Sequence, residues 1–179
     1  MAALLVTAVG ASVAFGFSEW LTTGGANPKG IKITGKGGTA FFEGTGKDRI
    51  ECEKSESSGE FKSVLQASLL VKYKGKCEIS GKLHGKCNEP IETELLIAEP
   101  GTIAAAGSGR GALFLPAEGT VMAEPVCAGV TITVQGGLVC ETKPIGKLSL
   151  SSEVNCRETS AGVQQFNEIE VDGVKEKTN

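Results

Sequence analysis

Val130-Thr131-Ile132-Thr133-Val134-Gln135 alternates apolar and polar residues without a break. Successive side chains of a strand point to opposite faces, so this stretch predicts a β-strand with Val130, Ile132 and Val134 toward a core and Thr131, Thr133 and Gln135 toward water. The same period of two recurs along the chain. In Leu69 to Cys77 it sets Leu69, Val71, Tyr73 and Cys77 against Lys72, Lys74 and Lys76, and the lysines suit a solvated face or an edge. In Leu148 to Cys156 the inward set is Leu148, Leu150, Val154 and Cys156, with Ser149, Ser151, Glu153 and Asn155 outside. Further strands are predicted at 31–34, 39–43, 49–53, 91–97, 112–115, 120–126 and 169–174, about ten in all. After position 20 the one helix-like stretch is 92–98, which also reads as a buried strand. Without crossover helices a parallel sheet has no connections. The fold class is therefore all-β, an antiparallel β-sandwich or a closed β-barrel of short strands.

Composition agrees with that reading. The 179 residues suffice for one core, and 40% hydrophobic with 22% charged residues is the balance of a folded globular chain. Glycine occurs 25 times without a three-residue period, which excludes collagen and implies many tight turns. A formal net charge of -3 offers no cationic field for a phosphate backbone, so nucleic acid is not an expected partner.

Residues 2–17 are apolar or small and uncharged, and Ser12-Val13-Ala14 has the small-x-small pattern of a signal-peptidase site. No basic residue precedes Leu4, so the positive flank of a signal peptide is missing. Two other readings remain: a membrane anchor, for which the run is short, and a strand of the fold itself that could pair with a neighbouring sheet edge. Residues 1–20 are accordingly a signal-like or N-terminal strand segment, and residues 21–179 a single all-β domain. No integral membrane domain is expected beyond that segment.

Six cysteines, Cys52, Cys77, Cys87, Cys127, Cys140 and Cys156, form an even set with no CxxC pair. Zinc sites usually take two close ligands from one turn, so disulfides in an oxidising compartment are the expected use. Cys77 and Cys87 flank a Gly-rich connection of nine residues that reads as a hairpin, and they are the first expected bridge. Cys140 and Cys156 flank a turn around Lys143-Pro144-Ile145-Gly146, which leaves Cys52 with Cys127.

The cysteine contexts resemble a family of uncharacterised, secreted, cysteine-containing β proteins of soil actinobacteria. The matching stretches are Ile50-Glu51-Cys52 running to Ser57-Ser58-Gly59-Glu60, Lys74-Gly75-Lys76-Cys77, Gly85-Lys86-Cys87, Leu113-Phe114-Leu115-Pro116 and Val134-Gln135-Gly136. The resemblance spans residues 35–173. It implies export and no activity, and the joint absence of the counterparts of Cys140 and Cys156 in some relatives implies that these two are a pair.

Groups for catalysis are scarce. One histidine, His84, sits in a Gly-flanked turn, and a Ser-His-Asp arrangement would need it beside Asp48 or Asp172, the two aspartates of the chain. Glutamates such as Glu51 and Glu53 alternate onto solvated faces rather than forming a paired-carboxylate site. Gly107-Ser108-Gly109-Arg110-Gly111-Ala112 satisfies G-x-G-x-x-A, but the apolar run that follows reads as a strand where a dinucleotide site needs a helix N-terminus. Trp20 is a candidate core anchor, and Phe41-Phe42 sends one ring to each face of its strand.

The chain thus reads as a non-enzymatic secreted or cell-surface protein, structural or interacting, which assembles through its N-terminal strand with itself or another envelope protein. No cofactor or metal is expected. The alternative is a β-barrel that binds a small apolar ligand. Intact mass before and after reduction and alkylation checks the cysteines: three bridges remove about 6 Da, whereas six alkylatable thiols in the native protein would contradict export.

Overall fold

The computed structural model describes residues 2–8, 13–16, 19–22, 26–43, 48–103, 109–143, 148–149, 151–160, 163–166, 168–171 and 174–177. Within these the chain is strand joined by turns, with no helix, as the period of two requires. The first strands are β1 (Ala2–Ala8), β2 (Val13–Gly16), β3 (Glu19–Thr22), β4 (Lys32–Gly37), β5 (Ala40–Glu43), β6 (Arg49–Cys52), β7 (Lys54–Phe61) and β8 (Ala67–Lys74). There follow β9 (Glu78–Ser80), β10 (Gly85–Lys86), β11 (Ile91–Glu92), β12 (Leu96–Ile103), β13 (Gly109–Pro116), β14 (Val121–Ala123), β15 (Val126–Cys127) and β16 (Val130–Thr131). The last are β17 (Val134–Gln135), β18 (Leu138–Lys143), β19 (Leu148–Ser149), β20 (Ser151–Cys156), β21 (Glu158–Ser160), β22 (Val163–Gln164), β23 (Glu168–Val171) and β24 (Val174–Lys177).

One antiparallel sheet dominates, in the order β11-β8-β7-β4-β1-β20-β18-β13-β12-β23-β24. It curls: β12 pairs back onto β8 through Leu96↔Leu69, Ile97↔Ser68 and Ala98↔Ala67, so the hydrogen-bonded order returns on itself through eight strands. A second sheet, β10-β9-β6-β5, packs the cysteine-rich segment, and a third joins β19, β2 and β3.

The alternation on β8 puts Leu69, Val71 and Tyr73 inside the curl, where they meet Ile33, Phe61, Leu96, Phe114, Met122 and Val154. Each such aliphatic or aromatic side chain contributes about 1.5–3 kcal/mol by leaving water. Trp20 on β3 joins this core with its ring 5.4 Å from that of Phe61. Strand β13 is buried on both faces, Ala112 and Phe114 toward the main core and Leu113 toward a smaller cluster with Ile103 and Val139. Tyr73 touches both the main core and the cysteine cluster, edge-on to Phe42 at 4.9 Å, and its burial pushes the phenol up to about 12.

On the outer face the cross-strand register builds a charge ladder, Lys36↔Glu56↔Lys72↔Glu92, across β4, β7, β8 and β11. Lys72 Nζ lies 2.7 Å from Glu92, and Lys74 Nζ 2.7 Å from Glu56. Glu60 holds Lys32 and Lys62, and these two cations draw its carboxyl down to about 2. Exposed pairs of this kind contribute little stability, but they keep this face wet.

Several strand boundaries differ from the sequence reading. The stretch 130–135 is two short strands: Val130–Thr131 turns back on β15 after Ala128 and Gly129, both at positive φ, whereas Val134–Gln135 pairs with β14. Val130 is consequently 46% exposed rather than buried. Cys77 leaves the β8 line because Gly75 and Lys76, at φ 78° and 53°, turn the chain into β9. The predicted strand 91–97 is interrupted, with Leu95 45% exposed between β11 and β12. In β20 Asn155 is buried instead of outside, and Nδ2 donates to Glu153 Oε1 at 2.7 Å. The predicted strand 148–156 divides into β19 and β20, which belong to different sheets. Strand β7, which lies between β8 and β4, is absent from the sequence reading because its inward positions Ser55 and Ser57 are small and polar rather than apolar.

Gly59 on β7 lies opposite Leu69, and a Cβ there would sit 1.9 Å from the carbonyl oxygen of Ser68. Gly59→Ala should lose about 2–4 kcal/mol and lower Tm by roughly 5–15 °C in a thermal melt. Gly38→Ala, where a Cβ meets nothing within 4 Å, is the control and should stay within about 0.5 kcal/mol of wild type.

Candidate functional site

Two features of the fold hold residues singled out by the sequence: the seat of β1 and a row of four cysteines. Strand β1 lies between β20 and β4. It pairs with β20 from Ala2↔Cys156 to Thr7↔Ser151, and with β4 from Leu4↔Gly37 to Ala8↔Ile33. Both of its edges are therefore used, and both neighbours depend on it for backbone partners. Of the other residues named in this segment, Val13 and Ala14 fall in β2, while Ser12 lies outside the described residues.

The cysteines are all bonded, with pairings that differ in part from expectation. The structure joins Cys52 to Cys77 and Cys87 to Cys127, not Cys77 to Cys87 and Cys52 to Cys127; Cys140 is bonded to Cys156. The hairpin expected between Cys77 and Cys87 does form, with Ile79 opposite Gly85 and Cys87 N donating to Cys77 O at 2.8 Å. What decides the bridges is the alternation of antiparallel pairs. Side chains approach more closely across a pair that exchanges no backbone hydrogen bond than across one that does. Cys87 and Cys127 are such a close pair, bracketed by Asn88 N to Val126 O at 2.8 Å and Ala128 N to Lys86 O at 2.9 Å. Their Cα atoms are 3.9 Å apart, and those of Cys52 and Cys77 are 4.1 Å apart. Cys140 and Cys156 extend the register Glu141↔Asn155 in the same way, at 4.3 Å.

Cys52, Cys77, Cys87 and Cys127 thus stand in one lateral row with Ile50, Ile79 and Ile91 around them. Glu89, two residues beyond Cys87, closes the turn that carries Cys77: its carboxylate accepts Gly75 N at 2.6 Å and Cys77 N at 2.7 Å. These backbone donors hold the Glu89 carboxyl below the usual glutamate range, the Cys77 bond having the larger effect. No sequence signal marked Glu89, because an acceptor for two backbone N–H groups needs only a carboxylate at the right place in the fold.

The candidate catalytic carboxylates serve turns and surface ion pairs. His84 is exposed, and Asp48 Oδ1 accepts Lys82 N at 2.6 Å and Leu83 N at 3.2 Å, so this carboxylate holds the β9–β10 turn rather than an imidazole. Asp172 lies outside the described residues. Glu51 pairs with Arg49 at 2.8 Å and Glu53 with Lys76 at 2.9 Å, both at the surface. Arg49 also lies over the Phe41 ring at 3.8 Å, while Phe42 turns inward to Tyr73. Gly109 to Ala112 belong to β13, not to a helix N-terminus. At Gly111 a Cβ would lie 2.5 Å from Ile103 and 2.7 Å from the Cys140 carbonyl oxygen, which accounts for a glycine without any phosphate. Residues 104–108 are outside the described residues. Among the described residues no group of three or more His, Cys, Asp or Glu could hold a metal ion, and no helix is long and apolar enough to cross a membrane.

Comparison with family models, curated proteins and solved structures returns no match.

A carboxyl held below its unfolded value contributes stability above the ordinary pKa of 4.5 and loses it as pH falls through the lowered value. Denaturant titrations on an acid series should therefore show a shallower loss of stability below pH 4.5 in Glu89→Gln than in wild type. Equal slopes would mean that Glu89 is not the anchor of the Cys77 turn.

Proposed function

We propose that the protein is an exported, non-enzymatic structural or interaction module that assembles by exchange of β1 between copies. The observation that supports this is the double pairing of β1 in the middle of the curled sheet. A strand bonded along both edges leaves two open edges wherever it is withdrawn, and an identical strand from another copy fits that gap with the same register. Domain exchange of this kind needs no new surface, only a connection long enough to reach.

Export is supported by the three disulfides, which persist in oxidising compartments, and by the family resemblance of the cysteine contexts. A structural rather than enzymatic role is supported by the engagement of Asp48 with the β9–β10 turn and of Glu51 and Glu53 with surface cations. The ligand-binding barrel is the weaker reading. The return of β12 onto β8 favours it, but Ser55, Ser57, Ser152 and Thr142 are buried along the β7, β20 and β18 wall and make a poor lining for an apolar ligand.

Sedimentation and electron microscopy of the full chain and of a variant lacking residues 1–17 test the proposal. The full chain should form concentration-dependent oligomers or fibres, the truncated chain should not, and a synthetic peptide of residues 2–8 should fill the open seat. A full chain that stays monomeric, or a truncated chain with the same assemblies, would overturn it.

A further inference from the structure

The lateral row of cysteines has a chemical property that neither bridge has alone. Cys77 stands between two cysteines: Cys52 on β6, to which it is bonded, and Cys87 across the β9–β10 hairpin, whose N–H donates to its carbonyl at 2.8 Å. Cys87 in turn stands between Cys77 and Cys127. The two disulfides are side by side in one buried cluster, so freeing either inner sulfur places a thiolate next to the other bridge.

We propose that this row is a thiol–disulfide exchange site for small dithiols, in which two-electron reduction moves the remaining bridge to Cys77–Cys87. Cys87 is the point of entry, 8% exposed against 1% or less for Cys52, Cys77 and Cys127. A dithiol thiolate attacks Cys87 Sγ, the bond to Cys127 breaks, and the Cys127 thiolate leaves and takes a proton. The second thiolate of the reductant then attacks the mixed disulfide, closes as a cyclic disulfide and releases Cys87 as a thiolate. Cys87 attacks Cys77 Sγ; the Cys77–Cys87 bond forms, the Cys52–Cys77 bond breaks, and the Cys52 thiolate takes a proton. One dithiol is oxidised, and the protein gains two thiols, at Cys52 and Cys127.

Entry at the other bridge reaches the same product, because Cys77, once free, attacks Cys87 and expels Cys127. The hairpin makes the attack possible. Its strands already hold Cys77 and Cys87 opposite each other, so the attack is intramolecular within a set geometry and needs no docking of distant segments. The product exchanges two long-range ties, across 25 and 40 residues, for one inside a hairpin. That frees β6, and the β15–β16 hairpin with it, from covalent attachment to β9 and β10. Cys140–Cys156 belongs to the main core cluster, apart from the row, and has no part in the exchange.

Partial reduction followed by alkylation and peptide mapping tests this at two acidities. With a trialkylphosphine at about pH 3, thiolates are too scarce to exchange, and the label should fall on one native pair, Cys87 with Cys127. With a dithiol at about pH 8 the two-thiol species should carry its label on Cys52 and Cys127, with Cys77 linked to Cys87. Cys140–Cys156 is the internal control and should give the same label pattern in both arms. Identical label positions within the row at both pH values, or direct passage to four thiols, would overturn the proposal. A C52S/C127S variant gives a second reading: intact mass should show Cys77 and Cys87 bonded, and two free thiols in the folded variant would count against exchange.

Discussion

Every strand in this protein is answerable to the pairing of backbone amides. With no helix among the described residues, each buried N–H and C=O outside the turns must find its partner on a neighbouring strand. That requirement drives the main sheet to curl until β12 meets β8, and it makes an interior strand of β1. The side chains then divide by parity: what points inward forms the core around Phe61, Leu69 and Phe114, and what points outward forms the lysine and glutamate ladder.

The same pairing rule selects the disulfides. In an antiparallel ladder each residue faces one neighbour across a close pair and the other across a hydrogen-bonded pair. Cys77 has a cysteine on both sides and bonds the one on β6; Cys87 likewise bonds Cys127. The covalent network and the capacity for re-pairing are thus two results of one register. Glu89 strengthens the arrangement by accepting the two N–H groups, of Gly75 and Cys77, that the turn leaves without a strand partner.

A protein built in this way adds long-range staples to a core that is partly small and polar. Its inward positions include Gly35, Ser55, Ser57, Ser152 and Thr142, which bury little apolar area, and the bridges between distant segments offset that shortage by restricting the unfolded chain. The seat of β1 fits the same economy, since Gly35 and Gly37 on β4 give it backbone partners with few side chains to repack.

Much of the architecture was legible in the order of residues. Period-two alternation is a local property, so it announced strands wherever the inward residues were apolar, as at Leu69, Val71 and Tyr73 on β8, and it ruled out helices. The even cysteine count announced disulfides. Where the inward residues are small and polar, as on β7, alternation carried no signal, and the strand was invisible. In 130–135 the alternation was present, but two different partners claim its halves, and no local pattern encodes a partner. Cys77–Cys87 failed for the same reason: the hairpin is local and readable, but whether two opposed residues form a close or a hydrogen-bonded pair depends on strands brought in from elsewhere. Residue order was enough to say which residues could lie in strands and which faces could be buried. Who pairs with whom came from the assembled sheet, because register is settled by the joint satisfaction of backbone hydrogen bonds across all its strands.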